Sequence, residues 1–170
     1  MSIALDMARH RAPVVDEAFR TEYLQALRLI ERLHRLLLDV IKDEFDRTDN
    51  GADLNSVQAL LLYNIGESEL TAGELKTRGY YLGSNVSYNL KKLVDMGYIH
   101  YKRSEIDRRS VRISLTQKGH DACSVVKKLY QRQLTSVETV AQVSGDEFQT
   151  LNKALVRLER YWTDQIRYRL

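Results

Sequence analysis

Apolar positions in the first third of the chain recur at helical spacing: Phe19, Tyr23, Ala26, Leu27, Ile30, Leu33, Leu37, Val40, Ile41 and Phe45. They predict one long helix from about Val14 to Phe45. Pro13 suits its approach, because a first turn does not use that amide hydrogen. Leu29, Leu36 and Leu38 lie off the stripe, so the helix is apolar on several faces and must bury more than one. In a chain this small, a second copy of the chain is the natural cover. The polar run Arg47 to Asp53 ends the helix. A second helix is expected from about Asn55 to Ile65, with Asp53 or Asn55 as N-cap and Gly66 as its stop. Thr71-Ala-Gly-Glu74 has capping-box spacing and opens a short helix through about Arg78. After a turn over Gly79 to Gly83, Ser84 to Asp95 reads as a further helix. Val86, Leu90, Leu93 and Val94 are its inner face, and Met96-Gly97 closes it.

The period then changes to two. Tyr98 to Arg103 alternates, and so does Val111 to Leu115. Ile99 and Tyr101 are expected to share one inward face, as are Val111, Ile113 and Leu115. The polar segment Ser104 to Ser110 joins the two strands into a hairpin with a long, basic tip. From Thr116 the helical period returns through Ala122, Val126 and Leu129, continued by Leu134, Val137 and Val140. Ser144-Gly-Asp-Glu147 is a second capping box, opening a last helix with Phe148, Leu151, Leu155, Leu158 and Trp162 inside. One Pro and eight Gly in 170 residues fit long helices better than an all-β design. The expected fold is mainly α with a small β-hairpin wing.

The net charge of +3 does not by itself demand a polyanionic partner. Its distribution does more. Nine basic residues stand between Lys76 and Arg112 against three acids, so this stretch carries +6 and the rest of the chain −3. A basic middle between near-neutral flanks is the footprint of a nucleic-acid module or, more plainly, a solvated surface. Helix, short helix, turn, helix and basic hairpin follow in the order of a winged helix-turn-helix, and each part suits DNA. The major groove admits one α-helix, whose first residues reach base edges. Here those are Ser84, Asn85, Ser87, Tyr88 and Asn89, all able to donate or accept hydrogen bonds. Lys91 and Lys92 follow one turn on and are placed for phosphates. Lys102 and Arg103 add charge to the hairpin strand, and Arg108 and Arg109 at its tip suit an adjacent minor groove.

Tyr98-Ile99 and Asp107-Arg-Arg-Ser-Val-Arg-Ile-Ser-Leu-Thr-Gln-Lys-Gly119 resemble the wing and following helix start of the MarR family, with its Asp-x-Arg tip and Leu-Thr-x-x-Gly ending. Asn85 to Gly97 is similar to that family's recognition helix. Within the family, Tyr80 to Asn89 resembles an alphaproteobacterial subgroup typified by LdtR. The resemblance covers about Leu54 to Gly119. It implies a homodimeric regulator of transcription on double-stranded DNA, with one recognition helix in each of two successive major grooves of a pseudo-palindrome. It implies a dimerisation helix over 14–47, a winged lobe over 53–116 and C-terminal dimerisation helices over 117–170. By position, Arg109 is the minor-groove arginine, Asp107 orients the wing, and Arg108 meets phosphate or minor groove. Many relatives cap the recognition helix with Ser or Thr, whereas Leu82 stands here with Gly83 behind it. Ser84 is the alternative cap, which leaves open whether Ser84 or Asn85 faces the bases.

The resemblance further implies a small aromatic or phenolic effector, for which His34, Tyr63 and Tyr130 are candidate contacts. Core or surface roles are the plainer reading of all three. Two other functions fit the same pattern: an effector-independent DNA-binding protein, and a winged-helix module for protein interaction. No cofactor is expected. His10, His34, His100 and His120 match no metal-site spacing, and no nucleotide, hydrolase or metalloprotease fingerprint is present, so an enzyme is not expected. Cys123 has no partner within the chain and borders the Ala122/Val126 stripe, which favours an inert buried thiol over a peroxide sensor. The first twelve residues lack a signal-peptide core, and no apolar run reaches the ~18 residues of a membrane span. A cytoplasmic protein without membrane contact is the expectation.

Overall fold

The computed structural model describes residues 16–48, 53–71, 73–75, 83–103 and 111–168. Five helices are labelled here: α1 (Glu17–Asp46), α2 (Ser56–Ile65), α3 (Gly83–Asp95), α4 (Gln117–Val140) and α5 (Gly145–Tyr168). Three strands, β1 (Leu70–Thr71), β2 (Ile99–Arg103) and β3 (Val111–Leu115), form one antiparallel sheet in the order β1-β3-β2. The mainly helical fold with a small winged sheet is therefore as expected. Residues 73–75 are helical, and the rest of the short helix read to Arg78, like Pro13, lies outside the described residues.

The chain divides into two compact units, one ending at Val40 and one beginning at Ile41. In the first, α1 has no buried residue among those described, and Phe19, Leu33 and Leu36 are all more than half exposed. In the second, the core gathers Ile41 and Phe45 from the end of α1 with Leu61, Leu62 and Ile65 of α2, Leu93 of α3, Ile113 of β3 and Val126 of α4. Burying each such aliphatic side chain contributes roughly 1.5–3 kcal/mol. α2 packs on α4 and on β3, and α3 packs on β2.

Local signals place the element ends. Asn55, not Asp53, caps α2: its Oδ1 accepts the Gln58 N–H at 2.9 Å, and the Gln58 Oε1 accepts the Asn55 N–H at 3.1 Å. Thr71 and Glu74 form a similar reciprocal pair, as do Ser144 and Glu147. Asp53 is used elsewhere. Its carboxylate accepts the Tyr98 hydroxyl at 2.5 Å and lies 3.4 Å from the Lys118 ammonium, which itself sits 4.1 Å from the Tyr98 ring centre. The Tyr98 hydroxyl foremost, with the nearby Lys118 charge, holds the Asp53 carboxyl below its usual 3.8. A carboxyl depressed on folding adds stability above its unfolded value and loses it as pH falls through the folded one. Asp53→Asn should therefore flatten the acid limb of the stability–pH curve below about pH 4, and lower stability near neutrality by no more than ~0.5 kcal/mol, because the half-exposed carboxylate is screened by solvent. Urea titrations across that range check both halves.

The structure departs from expectation at four points. β1 was not expected: two residues are too few to show a period of two. Tyr101 shares the parity of buried Ile99 but is 53% exposed, because β2 is an edge strand and supports its outer end on one flank only. The stripe on the last helix is not inside. Phe148, Leu151 and Leu155 are exposed, Leu158 and Trp162 are partly so, and α5 has no buried residue among those described. Leu134 and Val140 on α4 are likewise exposed, whereas Ala122, Val126 and Leu129 on the same stripe are buried.

Candidate nucleic-acid interface

Helix α3 is built from a narrow apolar stripe. Val86, Leu90 and Leu93 are buried, while Ser87, Tyr88, Lys91 and Lys92 stand exposed on the opposite side. Tyr88 is 62% exposed, with the Lys92 ammonium 5.9 Å from its ring centre. Asn89 departs from the expectation. At 8% exposure it belongs to the inner face, one turn below Leu93 and three residues after Val86, so it is removed from the exposed set. The helix begins at Gly83, one residue earlier than read. The side chains of Ser84, Asn85 and Arg103 lie outside the described residues, as do Asp107, Arg108 and Arg109 altogether.

The junction from α3 into the wing is tightly specified. The Tyr98 N–H donates to the Leu93 carbonyl and the Gly97 N–H to the Val94 carbonyl, both at 2.9 Å, with Gly97 at φ 75°. This is a Schellman ending, which needs a left-handed residue after the helix and packs the next side chain back onto it. Here that side chain is Tyr98, buried like Leu93. One residue later β2 pairs with β3 in the register Ile99↔Leu115, Tyr101↔Ile113 and Arg103↔Val111.

The Leu-Thr-x-x-Gly ending has an equally physical origin. Thr116 caps α4 by accepting the Gly119 N–H on its Oγ1 at 3.1 Å, and its hydroxyl donates to the Gly97 carbonyl at 2.7 Å. The Thr116 N–H donates to the Tyr98 carbonyl at 3.0 Å. A Cβ at Gly119 would lie 2.2 Å from that same carbonyl oxygen. The end of α3, the start of β2 and the start of α4 thus meet at backbone distance.

The effector candidates fall in different places. Tyr63 and Tyr130 meet edge to face, with ring centres 5.1 Å apart, and burial foremost, with Tyr63 beside it, pushes the Tyr130 hydroxyl up from its ordinary value. His34 is exposed on α1. Among the described residues no group of three His, Cys, Asp or Glu side chains is arranged to hold a metal ion, and no helix is long and apolar enough to cross a membrane.

A model described as a winged helix DNA-binding domain matches residues 54–119. The exopolysaccharide II synthesis transcriptional activator ExpG of Rhizobium meliloti (strain 1021) is 38% identical over 149 residues, spanning 86% of this chain and 74% of the relative. The fold superimposes with a TM-score of 0.65 on a mutant MarR from E.coli complexed with operator DNA, at 22% identity over 81% of this chain and 95% of that one. AbsC, a MarR family transcriptional regulator from Streptomyces coelicolor, superimposes at 0.67, with 18% identity over 91% of this chain and 100% of that one. The chain belongs to the MarR family. It is a winged-helix DNA-binding transcriptional regulator of the MarR type.

Cys123 stands between two roles, an inert buried thiol and a peroxide sensor, and its sequence position favours the first. In this MarR-type lobe it is buried on the inner face of α4, and burial foremost pushes its thiol up, against the pull of Lys127. A thiol that resists ionisation is a poor nucleophile toward peroxide. Cys123→Ser should leave DNA affinity and its response to peroxide unchanged, with a packing cost of about 1 kcal/mol. Binding titrations before and after peroxide check this; a response lost with the thiol would reverse it.

Proposed function

We propose that this regulator acts as a homodimer on a pseudo-palindromic operator, with α3 of each subunit in successive major grooves and the wing tips in the adjoining minor grooves. The observation that carries the reading is the exposed Ser87, Tyr88, Lys91 and Lys92 face of α3, set opposite a buried stripe and joined through Gly97 directly to a basic hairpin. Ser84 and Asn85 precede that face by one turn and are assigned to base edges with Ser87 and Tyr88. Lys91, Lys92, Lys102, Arg103 and Arg108 are assigned to phosphates, Arg109 to the minor groove, and Asp107 to orienting the wing. The uncovered apolar faces of α1 up to Val40 and of α5 support dimerisation through segments 14–47 and 117–170. A small aromatic or phenolic effector is assigned to the Tyr63–Tyr130 pair, where two rings and two hydroxyls offer flat walls and hydrogen bonds.

The test is a titration of duplexes from the DNA adjoining the protein's own gene, and of scrambled duplexes, at several salt concentrations. Asn85→Ala and Tyr88→Ala should weaken the specific duplex by about 1–3 kcal/mol more than the scrambled one. Arg109→Ala should weaken both and reduce the salt slope by about one unit per lost contact. Wild-type affinities and slope in all three variants would place the DNA-binding surface elsewhere.

A further inference from the structure

The wing sheet has a second face that the base-reading assignment does not use. In the ladder, Lys102 stands directly opposite Arg112 and His100 opposite Ser114. Ile99, Ile113 and Leu115 are buried on the inner face, so alternation turns His100, Lys102 and Arg112 outward, and all three are exposed. Arg112 is on the central strand, flanked by Thr71 of β1 on its other side. Cβ atoms of directly opposed residues lie ~4.5–5.5 Å apart, and like charges so placed repel. The described carboxylate nearest this pair is Glu69, whose Oε1 is 4.0 Å from the Arg112 Nε, with both side chains about half exposed. A single long, solvent-screened ion pair offsets little of that repulsion.

We propose that Lys102 and Arg112 form a two-cation clamp for a DNA backbone phosphate on the outer face of the wing, with Glu69 competing for Arg112 when DNA is absent. The proposal rests on the DNA-binding reading: it joins Lys102, already assigned to phosphate, to a further residue, Arg112, directly opposite it on the outer face of the sheet. The pair sits one ladder step back from Arg103↔Val111, the last pair before the tip. A wing whose tip enters a minor groove therefore brings this pair to the flanking strand, since one step along a strand is only ~3.3 Å. The opposed cations are then a strain of the free protein that an anion relieves, and Glu69 is a weak internal substitute for that anion.

The test separates the clamp from a structural role, because stability and affinity should move in opposite directions. Lys102→Glu turns the repulsive pair into an attractive one. Its DNA-free protein should melt at a higher temperature than wild type, yet bind a random fluorescent duplex roughly fivefold more weakly per lost contact at about 150 mM salt. Arg112→Gln should reduce the salt slope by about one unit for each chain bound, between about 50 and 200 mM salt. Glu69→Gln should bind more tightly than wild type. The Lys91→Gln, Lys92→Gln double variant on α3 is the reference. If it weakens binding while Lys102→Glu and Arg112→Gln keep wild-type affinity and slope, the clamp is wrong and the recognition helix stands. If wild type itself shows no salt-dependent binding, the DNA-binding reading fails and the clamp with it. The exposed position of each side chain keeps the variants foldable, and circular dichroism verifies that.

Discussion

Gly119→Ala is expected to lower the stability of the winged lobe by about 3 kcal/mol. The added Cβ meets the Tyr98 carbonyl oxygen at 2.2 Å, and backbone at that distance cannot rotate aside. Either α4 or the start of β2 must move, in an interior packed too densely to absorb the shift. The same carbonyl accepts the Thr116 N–H, so the movement also strains the α4 cap. Domains are stable by only ~5–15 kcal/mol, so this one methyl group removes a large share. Two other glycines calibrate the result. Gly97→Ala meets nothing within 4 Å but must hold φ 75°, which costs about 1 kcal/mol. Gly145→Ala also meets nothing within 4 Å and sits at the start of α5 with no left-handed φ, so it should be neutral or stabilise slightly. Urea unfolding of the three variants should rank Gly119→Ala well below Gly97→Ala, and Gly97→Ala below Gly145→Ala. A Gly119→Ala protein of wild-type stability would mean that the helix start is not held against the strand as described.

A second large effect is expected from the uncovered face of α5. Leu151→Glu with Leu155→Glu places two charges on the stripe that also carries Phe148, and both positions are exposed in the single chain. Neither replacement should disturb the fold of the lobe. If the face joins two subunits, burying two unpaired carboxylates there is prohibitive, and sedimentation should show a monomer. Separating the subunits removes the linkage between two half-site contacts, and operator affinity should fall by about 10²–10⁴-fold while residual binding to random DNA persists. Removal of residues 1–30 tests the other face: aggregation or unfolding is expected, and a well-folded soluble monomer would count against dimerisation through α1. A doubly substituted α5 that remains dimeric and binds normally would exclude that face from the interface.

The sequence was most informative where a local rule and a tertiary demand coincide. Thr71 with Glu74 and Ser144 with Glu147 are reciprocal caps, closed within four residues, and each forms as its spacing predicts, while Asn55 with Gln58 closes the same way at a cap that the sequence left open between Asp53 and Asn55. The inner face of α3 was legible for the same reason, since Val86, Leu90 and Leu93 satisfy one helical period. Asn89 lies on that period as well. Its polar chemistry suggested bases, although its position already placed it inward. Tyr101 shows the converse: alternation gave the right side of the strand but not the depth, which depends on how many strands flank it. The exposed stripe of α5 marks a boundary of another kind. Periodicity identifies an apolar face without saying which surface covers it, and a single chain cannot supply a partner. The roles of Lys118 and Asp53 at the base of the wing had no local signal, because those residues are 65 positions apart.

The clamped start of α4 also has a mechanical meaning. A 24-residue helix is about 36 Å long and bends little. With its first turn fixed to the Gly97 and Tyr98 carbonyls by Thr116, and with no slack at Gly119, α4 behaves as a stiff lever mounted on the root of the wing. Tilting such a lever by about 2° displaces its far end by only about 1 Å over the length set by its rise. A displacement of that size at Val140 therefore reaches the wing as rotation, with no flexible joint along α4 to dissipate it.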